Sequence, residues 1–513
     1  MLPFLKNTNV KNQKQIVGFR GINWSDRYQD GDLANCACLS ARRYPYMSTM
    51  KNRLHLVAYE GATAMTARGE LVVVQGTKLL YDGIEVDGEV TAGEKQFAVV
   101  NTKMIIWPDK KYLDLTDKKI KPLGAKAEVT GVKFSAEHGT MTATGGDKLT
   151  EHFRVGDGVH ISGTTQNDRA AVILDLTDTV LTIGMKGNAN PLVDEEVAGT
   201  VTIERKIPDL DFICESENRL WGCSNGAQAI YASALGDPTN FFVNEATATD
   251  SWTVAVGTEG DFTGCCKLTS SVLFWKETKL HKLLGSYPAE YSLYTYDIEG
   301  LQKGCHKSLQ VINETLYYVG LHGVYTYTGG VPNLISSALG DKILRNAVAG
   351  TDGDSYYLSA LDGISQHLLV YETQAGLWVR EDDTKVVDFA RVGRYLYFID
   401  GGGRVHLANS TDDNYLGNWM AQFCPFYETI QGRKRYTKLL MRLELPANAW
   451  VKAEIRLDGG KWLECGQVVG RDMDTVPLQI PIHRCDRFEL RLSGRGPCTI
   501  LSMLLEYQVG SDV

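Results

Sequence analysis

Thiol and imidazole spacing is the first test for metal chemistry. Cys36 and Cys38 stand one residue apart, Cys265 and Cys266 are adjacent, and Cys305 precedes His306. Thiolates that grip one zinc need a wider gap and a second matching pair to complete the tetrahedron. Neither cysteine pair has them, and Cys305-His306 is only a fragment of a ligand set. Eleven cysteines are an odd number spread over a long chain, so they read as buried free thiols rather than a disulfide framework. No metal or other cofactor is expected.

Carboxylates are the second test. A sugar hydrolase needs one acid to protonate the leaving oxygen and another to attack or to activate water. Asp400, which ends Phe398-Ile399-Asp400, has no recognisable partner, and an acid before three glycines reads as a turn former. Asp352-Gly353-Asp354 opens like a calcium loop but lacks the later oxygen ligands and the closing Glu. Gly401-Gly402-Gly403-Arg404 and Gly145-Gly146-Asp147-Lys148 lack the Lys-Ser or Lys-Thr of a phosphate loop. There is no Gly-x-Ser-x-Gly elbow and no His-Glu-x-x-His pair. The chain is therefore read as a protein without catalytic activity. One cationic run, Arg433-Lys434-Arg435, is a candidate contact for DNA or an acidic partner, with a solvated strand edge as the alternative.

The elements that would hold these residues are strands. Apart from the tight turns implied by 51 Gly against 14 Pro, the composition is that of an ordinary globular chain. Short aromatic and β-branched runs flank polar turns again and again, as in Glu70–Gln75 with Lys78–Tyr81 and in 97–100 with Lys103–Trp107. Further turns fall at Asn218, Ser270, Asn313, Gly353 and Gly393, about 40 residues apart, the length that four strands and their loops occupy. The fold expected is all-β, a propeller of about six to eight blades over 51–123 and 206–415.

The interval from Asn101 to Asn218 is too long for one blade, and residues 124–205 within it differ in character. They predict an inserted small barrel or sandwich, with Val159 and Ile161 on one strand face and His160 and Ser162 on the other. Residues 53–59 read as another blade fragment or the strand that closes the ring. Residues 1–50 read as an arm or assembly segment. Longer alternating runs at 439–445, 451–457, 461–465, 476–482, 488–492 and 500–507 predict a C-terminal sandwich over 416–513.

The formal net charge of −9 argues against a chain whose main task is to neutralise phosphates. No apolar run is long enough to span a bilayer, and residues 1–15 lack the apolar core of a signal peptide, so synthesis in the cytoplasm is expected, without stable membrane insertion.

Three phrases near the start carry a likeness: Phe19-Arg20-Gly21-Ile22-Asn23, Asp30-Gly31-Asp32-Leu33-Ala34-Asn35 and Leu39-Ser40-Ala41-Arg42-Arg43-Tyr44-Pro45. A second set follows in Tyr231-Ala232-Ser233, Gly236-Asp237-Pro238-Thr239-Asn240-Phe241, Phe274-Trp275-Lys276, Gly285-Ser286-Tyr287-Pro288 and Gly320-Leu321-His322-Gly323-Val324-Tyr325. Together they resemble the tail-nozzle or packaged-DNA-stabilisation propellers of tailed bacteriophages, over roughly residues 19–410 outside the insert. That resemblance implies a structural virion protein of the tail, assembled in the bacterial cytoplasm. It would form a ring, a homo-hexamer, on the tail axis, touch double-stranded DNA transiently, and dock to an adaptor or portal-proximal ring or to tail-tube proteins. It would retain packaged DNA and open for ejection. Trp24, Tyr44, Tyr46, Phe241 and Tyr287 are the candidate subunit or partner contacts, because aromatic side chains bury much area at interfaces. The alternatives are a baseplate or receptor-binding propeller or sandwich that recognises host-surface glycan, and a propeller glycosidase using Asp400. The sialidase-type repeat is absent.

Overall fold

The computed structural model describes residues 11–184, 192–243, 247–411, 415–426, 433–481 and 483–509. Residues 1–10, 185–191, 244–246, 412–414, 427–432, Ile482 and 510–513 of the expected segments lie outside this set. The fold is all-β, with a seven-bladed propeller, an inserted barrel and a C-terminal sandwich. The chain divides into two compact units, residues 62–66 with 70–306, and residues 1–61, 67–69 and 307–513.

The first unit holds four blades, each a four-stranded antiparallel meander. Blade 1 runs Ala62–Arg68, Glu70–Gln75, Lys78–Tyr81, Ile84–Glu85, and blade 2 runs Gln96–Val100, Lys103–Trp107, Lys111–Asp114, Lys119–Pro122. Blade 3 is Phe212–Ser216, Arg219–Ser224, Ala229–Ala232, Trp252–Ala255, and blade 4 is Gly264–Leu268, Ser271–Trp275, Lys279–Leu284, Ser292–Asp297. Alternating side chains of neighbouring blades make the core. Val72, Val74 and Leu79 pack with Met104, Ile106 and Leu113, and Trp221 and Ile230 pack with Val272 and Phe274. Each such side chain, fully buried, contributes about 1.5 to 3 kcal/mol.

The insert is a closed barrel of six strands. Ala125–Ser135 pairs with Thr140–Thr142, and pairing continues through Val180–Gly184, Arg169–Leu176, Gly158–Ser162 and Glu195–Arg205 back to the first strand. Val159 and Ile161 face its core at 0% and 2% exposure, while His160 and Ser162 point outward, as the two-residue period predicts. Ala125 and Arg205 are register partners, so the chain enters and leaves the barrel side by side.

The second unit holds blade 5 (Gln310–Ile312, Thr315–Gly320, Gly323–Tyr327, Asn333–Leu334), blade 6 (Leu344–Thr351, Ser355–Asp362, Ser365–Glu372, Leu377–Asp382) and blade 7 (Val386–Val392, Tyr395–Asp400, Val405–Leu407). Blade 7 takes its fourth strand, Leu54–Leu56, from far upstream, in register Leu54↔Leu407, His55↔His406, Leu56↔Val405. The fragment read at 53–59 is thus the closing strand. The turn residues expected at Asn101, Asn218, Asn313, Gly353 and Gly393 all take positive φ, the backbone that two-residue hairpins require. At the Ser270 turn it is Thr269 that does so.

The remaining nine strands of this unit form the sandwich. Four of them come from the segment read as an arm: Lys11–Ile16 pairs along Thr499–Val509, Leu33–Ala37 along Asn418–Phe423, Met47–Thr49 against Thr499–Val509, and Leu39–Ser40 against Met47–Thr49. Ile16, Leu33, Leu39 and Met47 are each at most 5% exposed. An arm would leave these side chains in water, and the sheet removes them from it.

The runs read as separate strands at 439–445 and 451–457 are one strand, Lys434–Leu457, paired along its length with Trp462–Gln479. Tyr436 stacks on Phe488 at a centroid distance of 4.0 Å, although Phe488 is the register partner of Leu457. A straight strand would separate Tyr436 and Leu457 by about 70 Å. The hairpin therefore folds back on itself at the register breaks between Leu445 and Trp450, and its two halves become opposite layers of the sandwich.

Candidate functional site

Two arginines from the N-terminal segment enter blade 6. Arg53 donates to Glu381 Oε2 and Asp382 Oδ2, both at 2.6 Å. Arg42 pairs with Asp352, donates to the Tyr357 hydroxyl at 3.0 Å and lies 3.7 Å from Glu372, which in turn accepts from the Ser355 hydroxyl at 2.9 Å. Arg53, Glu381 and Asp352 are buried, with side-chain exposures of 15%, 10% and 4%, while Arg42 and Asp382 keep about a third of their side chains in water. Burial pushes the Glu372 and Glu381 carboxyls up and Tyr357 up to about 12. Burial also acts on Asp382, but Arg53 and the Thr384 N–H outweigh it and hold that carboxyl below its ordinary range.

Paired carboxylates in such a setting have the types that acid and base catalysis uses. The cavity beside them, however, measures about 20 Å³, close to the space of one water and far below that of a sugar ring. What the cluster does is fasten. Gly21 supplies a second fastening, since at φ +74 its missing side chain lets Trp378 O come within 2.3 Å of where a Cβ would sit, and Ile22 N donates to that oxygen at 2.7 Å. Trp24 N donates to Ala338 O at 2.7 Å.

In the first unit a cleft of about 850 Å³ opens between the barrel and blade 2, lined by Lys110, Tyr112, Lys121, Lys126, Glu204 and Lys206 among others. Lys110 meets Asp209 at 2.5 Å, Lys121 is held by Asp114 at 2.9 Å and Asp117 at 2.6 Å, and Lys126 meets Glu128 at 2.6 Å. These hydrogen bonds raise Lys121 and lower Asp114. The cleft is lined by more cations than carboxylates, and it has the size and the domain-junction position of ligand sites.

The residues singled out from sequence do not converge. Asp400 Oδ1 accepts the N–H groups of Gly402 (2.8 Å) and Arg404 (3.0 Å), which is the work of a turn former, and Oδ2 lies 2.9 Å from His406 Nε2. Asp352 Oδ1 likewise accepts from Asp354 and Ser355. Trp24 donates through its indole to Ala34 O at 3.1 Å under the Lys342 ammonium, and Phe241 packs on the core of blades 2 and 3. Tyr44, Tyr46 and Tyr287 are 49%, 40% and 37% exposed. Within Arg433-Lys434-Arg435, Arg433 is exposed, but Lys434 is 1% exposed and paired with Asp486 at 3.2 Å, so it cannot reach DNA or a partner. The reason is register: Lys434 pairs with Cys485 as the strand begins, which turns it inward. Cys36 and Cys305 are buried, and burial pushes the Cys36 thiol up to about 12. His306 lies 3.6 Å from Glu94. Among the described residues no three His, Cys, Asp or Glu side chains are placed to hold a metal ion, and no helix is long and apolar enough to cross a membrane.

No protein-family model matches the chain, and no curated protein matches it. Solved structures do. An exo-β-1,3-galactanase from Phanerochaete chrysosporium is 9% identical over 56% of this chain and 92% of its own, with a TM-score of 0.23. PorZ, a bacterial surface component of the type-IX secretion system of Porphyromonas gingivalis, is 10% identical over 80% of this chain and 46% of its own, with a TM-score of 0.34. Hsv2 of Kluyveromyces lactis is 10% identical over 67% of this chain and 99% of its own, with a TM-score of 0.28.

Proposed function

We propose that this chain is a structural virion protein of a tailed bacteriophage, a subunit of a ring on the tail axis that retains packaged DNA, docks neighbouring tail components and opens for ejection. The observation that supports this reading is the location of the phage-like phrases. Gly21, Ile22, Asp32, Leu33, Leu39 and Arg42 belong to those phrases, and they are the residues that knit the N-terminal segment into the sandwich and blade 6. A part that transmits force along an axis needs such joints. A glycan-binding reading has one observation in its favour, the polar cleft with Tyr112 at the barrel, because sugars are recognised by hydrogen-bonding groups beside aromatic faces.

Mass measurement and imaging of the purified protein, alone and with its neighbouring tail ring, test the first reading. A closed ring of several copies supports it, and a strict monomer under both conditions overturns it. Binding on a glycan array that Tyr112→Ala abolishes would establish the second.

A further inference from the structure

We propose that the thiols of Cys214 and Cys265 are a modification site, an oxidisable pair that closes into a disulfide and staples blade 3 to blade 4 inside the first unit. Strand register brings them together. Cys214 stands opposite Trp221, and Phe212 opposite Cys223, so these four side chains share one face of blade 3. Cys265 stands opposite Phe274 on the face of blade 4 that meets it. Trp221, Cys223, Cys265 and Phe274 are all buried in that joint core, with Cys214 packed against it. Cys266, one residue on, turns to the other face of its strand. Cys265 adjoins both Cys214 and Cys223. The three thiols thus form a row with Cys265 in the middle, and among the described residues no three such side chains surround a common point where a metal ion could sit. A row suits a sulfur–sulfur bond.

The inner strands of the two blades, Phe212–Ser216 and Gly264–Leu268, come within 8 Å of each other from Cα to Cα, against about 10 Å for sheets stacked face to face. A disulfide spans about 4.4 to 6.8 Å between Cα atoms, so a small approach closes it. Cys214 is the partner rather than Cys223, because Cys214 lies on the facing strand and is half-buried, whereas Cys223 is at 0% exposure one strand away. The oxidant is a low-molecular-weight disulfide. The Cys214 thiolate attacks one of its sulfurs and expels a thiolate, and the Cys265 thiolate then attacks Cys214 Sγ and expels the second. Two protein thiols are oxidised, one small disulfide is reduced to two thiols, and the two protons shed by the cysteines end on those thiols. Contact with Cys265 and then burial push the Cys214 thiol well above its ordinary range, and burial does the same to Cys265, so the bond forms over hours rather than seconds. A chain held in a reducing compartment keeps the thiols, and one moved to an oxidising medium acquires the staple.

Peptide mapping without reduction tests this on the full-length protein, after a day with oxidised glutathione at about pH 8.5, where more of each thiol is ionised, and alkylation of what remains free. The native chain should yield the peptide around Cys214 joined to that around Cys265, with fragmentation assigning the bond to Cys265 rather than Cys266. Its thermal midpoint should rise by about 5 °C or more, reversed by dithiothreitol, because the bond closes a loop of about 50 residues. Cys223→Ser should form the same link, whereas Cys214→Ser and Cys265→Ser should each lose both the link and the rise. Recovery of Cys214 and Cys265 as free thiols, or capped by glutathione alone, overturns the proposal. So does a link from Cys265 to Cys223.

Discussion

Single buried charges set the chain's response to pH. Asp109, 1% exposed, accepts from Lys95 at 2.8 Å and from Thr91 at 2.7 and 2.6 Å. Burial pushes its carboxyl up, but these partners outweigh burial and hold it below the ordinary range. A depressed folded value means stability that is present above the unfolded carboxylate range and lost as pH falls through the folded one. Asp109→Asn should cost about 3 to 5 kcal/mol at neutral pH, read from the urea midpoint, because it strands the Lys95 ammonium in the interior. His281 acts in the same direction on stability, but there the fold favours the uncharged form. Wedged between Thr258 and Thr295 hydroxyls at 2.9 Å each, it is lowered to about 4 by burial and by Lys276 and Lys279. The unfolded chain takes up that proton first, so stability should fall by up to about 3 kcal/mol as pH drops from about 6.5 towards 4, and His281→Gln should flatten this slope. Neither site was legible in the sequence. Lys95 and Asp109 lie 14 residues apart, on opposite sides of a hairpin, and no local pattern announces that they meet.

Elements were read more successfully than sites, because a hairpin writes its signal within a few residues. The asparagines and glycines picked as turns sit where φ is positive, and the two-residue period located Val159 and Ile161 in the barrel core. What escaped were pairings between distant segments. Arg53 and Glu381 are 328 residues apart, and the strands of residues 11–49 find partners near the other end of the chain. The long hairpin was cut in two for a related reason. Pro446 and Asn448 look like a chain reversal, yet here they mark only the bend at which one strand changes layer. Arg53→Met should destabilise by about 3 kcal/mol, since it leaves the buried Glu381 carboxylate without its guanidinium partner. Glu381→Gln should cost only about 1 kcal/mol, because Arg53 keeps Asp382. Denaturant titration at neutral pH distinguishes these outcomes, and equal effects would mean that the pair does not act as a clamp.

At the scale of the molecule, the propeller and its separable insert were both legible from a repeat length and its one interruption. The joining of the N-terminal segment to the sandwich was not, since it depends on contacts that no repeat encodes. The side-by-side connections of the barrel make a further expectation specific. Replacing residues 125–205 with a short Gly-Ser bridge should leave the blades folded, as judged by a cooperative thermal transition, and the excised barrel should fold on its own core of Val129, Phe134, Ile173 and Ile203. Loss of the transition in the shortened chain would mean that Arg154 and Asn240, which tie the barrel to the loop after Ala229–Ala232, are indispensable. The origin of the closing strand bears on how the protein is made. Leu56 leaves the ribosome some 349 residues before its partner Val405, so blade 7 cannot be completed until most of the chain has been translated. During that interval the N-terminal strands wait without partners, their edges open to other nascent chains, and the cell has a period of exposure to manage before blade 7 is complete.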